Sequence, residues 1–358
     1  MNNRKLKKAR IIFEQHKGIK IAVLGSYGKT TTKEILSEIL SGSDKKIAKT
    51  PLNKNVCLSH ANWASKLDGD EDVLIIEYGE ESPGDIAKLA ILTKPTHVVI
   101  TGIAPNHLEH FKNIDELYKE FNSIFRFVKT ENVYVSSQYN EFKKDIPKDI
   151  VSYSNNGVDG WVAKDVQLFV DHTVFIASNK NVKLPIRKGL LGEHNIPAVL
   201  LSLAIGSKIG INSKGLMIGV SKLKPHSHRM SHYKLGEVDI IDDTYNGNIE
   251  GFRAGLTLLK KLKAKRKIYV TPGLVDQGIE NIAVHEEIGR LIIDTNPDIV
   301  VLMNNSNTKI ILQYINNKDF KGKILLEDNP LAFYQNLEHF TASGDLVLMQ
   351  NDLPDEYA

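Results

Sequence analysis

Residues Ile21-Ala-Val-Leu-Gly25-Ser-Tyr-Gly28-Lys29-Thr30-Thr31-Thr32-Lys33 pass from an apolar run through a glycine turn into a Lys-Thr-led helical pattern. A strand, a tight loop and a helix in that order are how a chain builds a nucleotide phosphate site. Glycines let the backbone bend so that its N–H groups approach an anion, and the following helix adds its positive end. Lys29 would reach the terminal phosphates, and Thr30 would set its hydroxyl on a magnesium ion. The spacing is a shortened G-x-x-G-K-T, because Val23 stands where the longer G-x-x-x-x-G-K-[ST] pattern has its first glycine. A glycine-bearing strand-to-helix turn with a chance lysine is the bland alternative.

Short β-rich runs alternate with helical patterns along the chain, the signature of a parallel sheet covered on both faces. Strands are expected at Ile19–Leu24, Val73–Glu77, His97–Thr101 and Asn132–Ser136, with helices at Thr31–Leu40, Ile86–Leu92 and Ile114–Phe127. Between Val151 and Pro185 the pattern becomes short and alternating, and reads as an antiparallel patch. A helix over Asn195–Ile209 and a polar, proline-bearing linker over Lys222–His228 follow. A second α/β pattern then runs through Val238–Ile241, Ile249–Leu262, Lys267–Thr271, Ala283–Asp294, Ile299–Met303 and Asp345–Met349. The expected division is 1–225 and 226–358.

Composition narrows the function classes. The 358 residues are 42% hydrophobic and 25% charged, enough for two ordinary cores and unlike a disordered chain. A net charge of +3 is too small to predict nucleic-acid binding, and the basic run Arg4–Arg10 reads as a solvated helix face. Cys57 is the single cysteine, which excludes an intrachain disulfide and a cysteine-based zinc site. No apolar run reaches the ~18 residues of a membrane span, and the N-terminus lacks a signal-peptide core. The expected setting is the cytoplasm.

Other residues could join the phosphate turn. Glu77 ends an apolar run, so it falls at a strand's carboxyl end, where α/β sheets bind ligands; it could hold magnesium or simply face solvent. His107, in Thr101-Gly-Ile-Ala-Pro-Asn-His107-Leu-Glu109, could ligate a metal or bond a phosphoryl group, or be solvated. Asn195 is a good helix cap, and its amide could also read adenine. Asp242-Asp243-Thr-Tyr245-Asn246 ends a strand, and adjacent carboxylates there need partners. Arg229 in the linker could fork onto a phosphate or make a surface ion pair.

Four of these segments together resemble the Mur ligase family of ATP-dependent amide-bond-forming enzymes, and within it the members that add D-alanyl-D-alanine to a UDP-muramoyl tripeptide. They are Gly25–Glu34, Glu77–Ile86, Ile100–Glu109 and Asp242–Asn246, in that order. The resemblance implies a mostly parallel, P-loop-type central ATPase domain followed by a smaller Rossmann-like α/β domain. It implies ATP held by Gly25, Ser26, Tyr27, Gly28, Lys29, Thr30 and Thr31, with Asn195, Arg229, Asp243, Tyr245 and Asn246 around the nucleotide. Thr30 and Glu77 would hold a first Mg²⁺ and His107 a second, and Lys29, His107 and Arg229 would serve catalysis. The implied partners are a muramoyl peptide or other carboxylate and D-alanyl-D-alanine or another amine, with no nucleic acid and no membrane span.

Three departures from the family pattern bear on that reading. Only about eighteen residues precede the first strand, where most members carry an N-terminal UDP-binding domain, so a UDP-linked substrate would need another grip, a partner subunit or a missing segment. Phe121 stands where many members carry a carbamylated lysine, and Lys119, two residues earlier, lies on another helix face. His228 precedes Arg229 where the family has glycine. Val270–Gly278 and Gln350–Pro354 also replace segments that help hold the incoming amine. An amide ligase acting on a non-UDP acid, or a catalytically weak nucleotide-binding subunit, are the alternatives.

Overall fold

The computed structural model describes residues 2–104, 110–111, 113–137, 146–245, 247–275 and 277–351. The first unit opens with helix α1 (Asn2–Gln15) and strand β1 (Ile19–Leu24), then α2 (Lys29–Leu40), β2 (Ile47–Lys49), α3 (Cys57–Ala64) and β3 (Val73–Glu77). It continues through α4 (Asp85–Thr93), β4 (His97–Ile100), α5 (Ile114–Asn122), β5 (Val133–Ser136) and β6 (Val151–Tyr153). The six strands form one parallel sheet in the order β2-β3-β1-β4-β5-β6.

Both faces of this sheet are dry. Side chains alternate across a strand, so Ile21 and Val23 of β1 pack beneath Ile35, Leu36 and Ile39 of α2. Ala22 and Leu24 point the other way, into the layer of Phe13, Trp63, Ile86 and Leu89 from α1, α3 and α4. Continuous apolar strands such as Val73-Leu-Ile-Ile are therefore what two-sided burial requires.

The antiparallel patch is narrower than expected. Its three strands are β7 (Val162–Leu168), β8 (Thr173–Ser178) and β9 (Lys183–Lys188). Val151–Tyr153 is instead the parallel edge strand β6, paired with β5 through Tyr134↔Val151. The short alternating pattern does not tell an exposed-edge parallel strand from a hairpin strand. Helices α6 (Ile196–Lys208) and α7 (Ser213–Lys222) follow, and α7 occupies a stretch the sequence pattern left unassigned.

The second unit begins at β10 (Ser231–Leu235) and β11 (Val238–Asp243), and continues with α8 (Ile249–Lys261), β12 (Arg266–Thr271), α9 (Asn281–Thr295) and β13 (Ile299–Met303). It ends with α10 (Ser306–Asn316), β14 (Lys323–Glu327), α11 (Pro330–Gln335), α12 (Leu337–Phe340) and β15 (Asp345–Gln350). The sheet order is β10-β11-β15-β12-β13-β14, parallel except for β10 at the edge. No described helix is long and apolar enough to cross a membrane.

One buried charge on α2 weakens this scaffold. Burial pushes the Glu38 carboxyl up to about 7, opposed by Lys224 and Lys49. Below the ordinary carboxylate range Glu38 is protonated folded or unfolded. As pH rises towards 7 the unfolded chain ionises first, and stability falls. Glu38→Gln should therefore raise stability by roughly 1–3 kcal/mol at pH 8, with the gain vanishing near pH 4. Chemical denaturation at the two pH values measures it, and an equal effect at both would reject the assignment.

Candidate functional site

The chain leaves β1 for one face of the sheet, through α2, and leaves the neighbouring β3 for the other, through α4. Adjacent strands that part in this way open a crevice at their carboxyl ends, the place where α/β sheets bind ligands. The loop Gly25–Gly28 and the segment Glu77–Glu80 form its two lips.

The loop is shaped by two left-handed glycines. Gly25 has φ 135°, and a Cβ there would collide with Thr101 and with the Gly102 backbone. Gly28, φ 72°, is the N-cap of α2 and leaves the helix's first N–H groups without a side-chain cap. An uncapped helix start is a ready anion site. Ser26 N–H donates to Gly102 O at 2.8 Å, which pins the loop against the end of β4.

Lys29 Nζ donates to Gly25 O at 2.5 Å and to both carboxylate oxygens of Glu80 at 3.0 Å. Glu80 is 2% exposed, and burial pushes its carboxyl up to about 7 against the pull of Lys29. Thr30 Oγ1 donates to Glu77 Oε1 at 3.1 Å. The other oxygen of Glu77 lies 3.1 Å from Nζ of Lys33, which is fully buried and also donates to Leu52 O. Asn55 Nδ2 approaches Glu77 Oε1 at 3.5 Å. Lysines and carboxylates thus alternate under the helix start.

A hydroxyl and a carboxylate side by side, next to an anion site, are the hard oxygen donors that Mg²⁺ takes. Among the described residues no group of three or more His, Cys, Asp or Glu side chains is placed to hold a metal.

Beyond the loop a cavity of about 390 Å³ runs between the two units, lined by Tyr27, Gly28, Thr31, Asn195, Arg229, Asp243 and Tyr245 among others. Its volume suits a nucleoside. The Arg229 guanidinium lies 4.5 Å over the Tyr245 ring, and the Tyr245 hydroxyl accepts from Asn53 Nδ2 at 2.7 Å across the units. Burial pushes Asp243 up to about 7, while Gln350 Nε2 at 2.9 Å and Met230 N at 3.1 Å bond its oxygens. Asp242 accepts from Thr244 Oγ1 at 2.7 Å and pairs with His228 Nδ1 at 2.8 Å. The adjacent aspartates therefore have the partners their burial demands.

The structure brings Lys29, Thr30 and Glu77 into one crevice, with Thr31, Asn195, Arg229, Asp243 and Tyr245 on the adjoining cavity. His107 and Asn246 lie outside the described residues. Asn195 stands at the N-cap position of α6, yet its backbone is helical and its side chain makes no cap bond; Nδ2 donates to Leu191 O at 2.8 Å instead. Phe121 is fully buried in the apolar layer and Lys119 is exposed, so neither faces the crevice as a metal support. Glu120, between them, accepts from Gly84 N and Ile86 N at 2.7 Å and caps α4.

Sequence reasoning missed Lys33 and Glu80 as site residues. Lys33 lies four residues after Lys29 on one helix face, a spacing that could have signalled it. Nothing in the pattern marks Glu80 as buried rather than solvated.

Comparison with known proteins agrees with this fold. The model of the Mur ligase middle domain matches residues 23–206. Curated UDP-N-acetylmuramoyl-tripeptide–D-alanyl-D-alanine ligases from Haemophilus influenzae and Buchnera aphidicola are 25% and 26% identical over 88% and 80% of the chain. The aligned region spans 70% and 63% of those relatives' own lengths. The MurF ligase of Thermotoga maritima, solved in complex with ADP, superposes on 98% of the chain with a TM-score of 0.83. At 23% identity, with 80% of that chain covered, this shows a shared fold. With more than half its length in the matched domain, the chain belongs to the Mur ligase family.

Proposed function

We propose that the chain is an ATP-dependent carboxylate–amine ligase working through an acyl phosphate, and that its acid and amine are a muramoyl peptide and D-alanyl-D-alanine. The observation that carries the reading is the junction of Lys29, Thr30 and Glu77 at the uncapped start of α2, beside a nucleoside-sized cavity. Residues 1–225 would hold the nucleotide and 226–358 close over it, in the cytoplasm, with UDP recognition supplied by a partner subunit or a further segment.

In the reaction a carboxylate oxygen attacks the γ-phosphorus and the bond to ADP breaks. The amine nitrogen then attacks the acyl carbon, loses a proton, and phosphate departs. Lys29 and the N–H groups of α2 would neutralise charge on the transferring phosphoryl group. Mg²⁺ on Thr30 and Glu77, and a second on His107, would supply further charge neutralisation. Arg229, just before the second unit, would hold phosphate while the Tyr245 ring beneath its guanidinium orients it on the cavity wall. Closure excludes the water that would hydrolyse the acyl phosphate.

The test is phosphate release from ATP and Mg²⁺ with candidate acid–amine pairs. UDP-muramoyl tripeptide with D-alanyl-D-alanine should release phosphate only when both are present. Release with a glutamyl acid instead would move the chain to another branch of amide ligases. No amide product with any pair would reject ligase activity.

A further inference from the structure

The loop between β2 and α3, residues 50–56, touches both parts of the molecule that the proposed reaction must bring together. Towards its ends it is fastened to the phosphate crevice. Thr50 Oγ1 accepts from Glu77 N at 3.0 Å, and Asn55 O accepts from Gly79 N at 2.9 Å. Leu52 O accepts from Lys33 Nζ, the buried ammonium that pairs with Glu77 at 3.1 Å. These bonds set the backbone of the Glu77–Glu80 lip and the counter-charge of Glu77.

The tip of the loop reaches the other way. Asn53 Nδ2 donates to the Tyr245 hydroxyl at 2.7 Å, and the Tyr245 ring lies beneath the Arg229 guanidinium at 4.5 Å. Asn53 is exposed, so this bond is not a by-product of core packing. Next to it Leu52 holds a left-handed backbone, φ 49°, with its apolar side chain 72% exposed. A leucine keeps that conformation only where its surroundings impose it. The side chain gains little burial there. What the turn secures is the bond of the Leu52 carbonyl to Lys33 and of the following amide to Tyr245. An exposed hydrogen bond adds little to fold stability, but it can bias two arrangements of the units against each other.

We propose that Asn53 is a positioning residue for the ligase reaction. By docking on Tyr245 it ties the placement of Arg229 to the loop that sets Glu77 and Lys33, so that the two sides of the phosphate site assemble together. This rests on the reaction proposed above. Asn53 touches neither reacting group; it acts through Tyr245 on one side and through the loop on the other.

A double-mutant cycle of Asn53→Ala and Tyr245→Phe tests it, read in kcat and in the affinity for the non-hydrolysable analogue AMPPNP. Phenylalanine keeps the ring under Arg229 and removes only the hydroxyl. Each single variant should lower kcat by roughly three- to tenfold, the worth of one hydrogen bond. The double variant should be no slower than the slower single one, because both substitutions break the same bond. AMPPNP affinity of Asn53→Ala should stay within about twofold of the native value, which places the loss in the chemical step and not in ground-state binding. Its melting temperature should move by no more than about 2 °C, as for other exposed positions. An unchanged kcat in Asn53→Ala, or losses that multiply in the double variant, would overturn the proposal. So would a fall in AMPPNP affinity as large as the fall in kcat, which would make Asn53 a nucleotide-binding residue, or a loss of activity matched by a loss of stability. A native chain that binds AMPPNP but joins no acid–amine pair would reject the ligase reading itself, and this proposal with it.

Discussion

Lys29→Met is expected to lower ATP-dependent turnover by roughly 10²–10³-fold, the cost of removing one preorganised charge from a transferring phosphoryl group. The backbone of Gly25–Gly28 would remain, so residual nucleotide binding is expected to survive better than turnover. The variant carries a second effect, because Glu80 then loses the one side chain that hydrogen-bonds it among the described residues, in a nearly closed environment. A loss of activity could therefore come from a disturbed crevice. Lys29→Met combined with Glu80→Gln separates the two causes. The pair removes both charges together, so its thermal stability should return towards the native value while turnover stays low. Turnover that recovered along with stability would show that Lys29 only neutralises Glu80. Phosphate release at saturating ATP, measured beside the melting temperature, decides between them.

Lys33→Met should cost about 3–5 kcal/mol of stability, since it strands a buried carboxylate. Lys33 has no exposure and lies 3.1 Å from Glu77, itself 1% exposed. Methionine fills most of the same volume, so a packing defect contributes little. The unfolding transition of the first unit should fall by on the order of 10 °C. Adding Glu77→Gln should restore most of that loss, because a neutral pair no longer leaves a charge uncompensated. A single variant as stable as the native chain would mean that Lys33 is not the counter-charge of Glu77. These two lysines, one helical turn apart, would thus have different tasks, Lys29 turning to the phosphates and Lys33 fixing the carboxylate beneath it.

Much of the frame is readable from local pattern. The runs Ile21–Leu24 and Val73–Ile76 are apolar at every position because both sheet faces are covered, and both became central strands. The left-handed Gly25 and Gly28 mark the turn between β1 and α2 as surely in the chain as in the fold. What escaped was decided at long range. Val151-Ser-Tyr has the same local pattern as a hairpin strand, and only its pairing with Tyr134 makes it a parallel edge. Asn195 has the chemistry of a cap, but the backbone around it is already helical, and its amide is used by Leu191.

The site follows the same division. Lys29, Thr30 and Glu77 were legible because each sits at a strand end or a helix start, where position implies direction. Glu80 was not, since a glutamate three residues past a strand looks solvated until Lys29 is folded over it. Arg229 and Tyr245 belong to segments sixteen residues apart, and their stacking at 4.5 Å depends on how the chain turns between the second unit's first two strands.

Crystals grown with AMPPNP and Mg²⁺ test the central claim most directly. The account predicts triphosphate density against the first N–H groups of α2, Lys29 turned from Glu80 to the phosphates, and a cation about 2.1 Å from Thr30 Oγ1. A nucleotide bound elsewhere, with Lys29 still clasped by Glu80 and no cation beside Glu77, would contradict it.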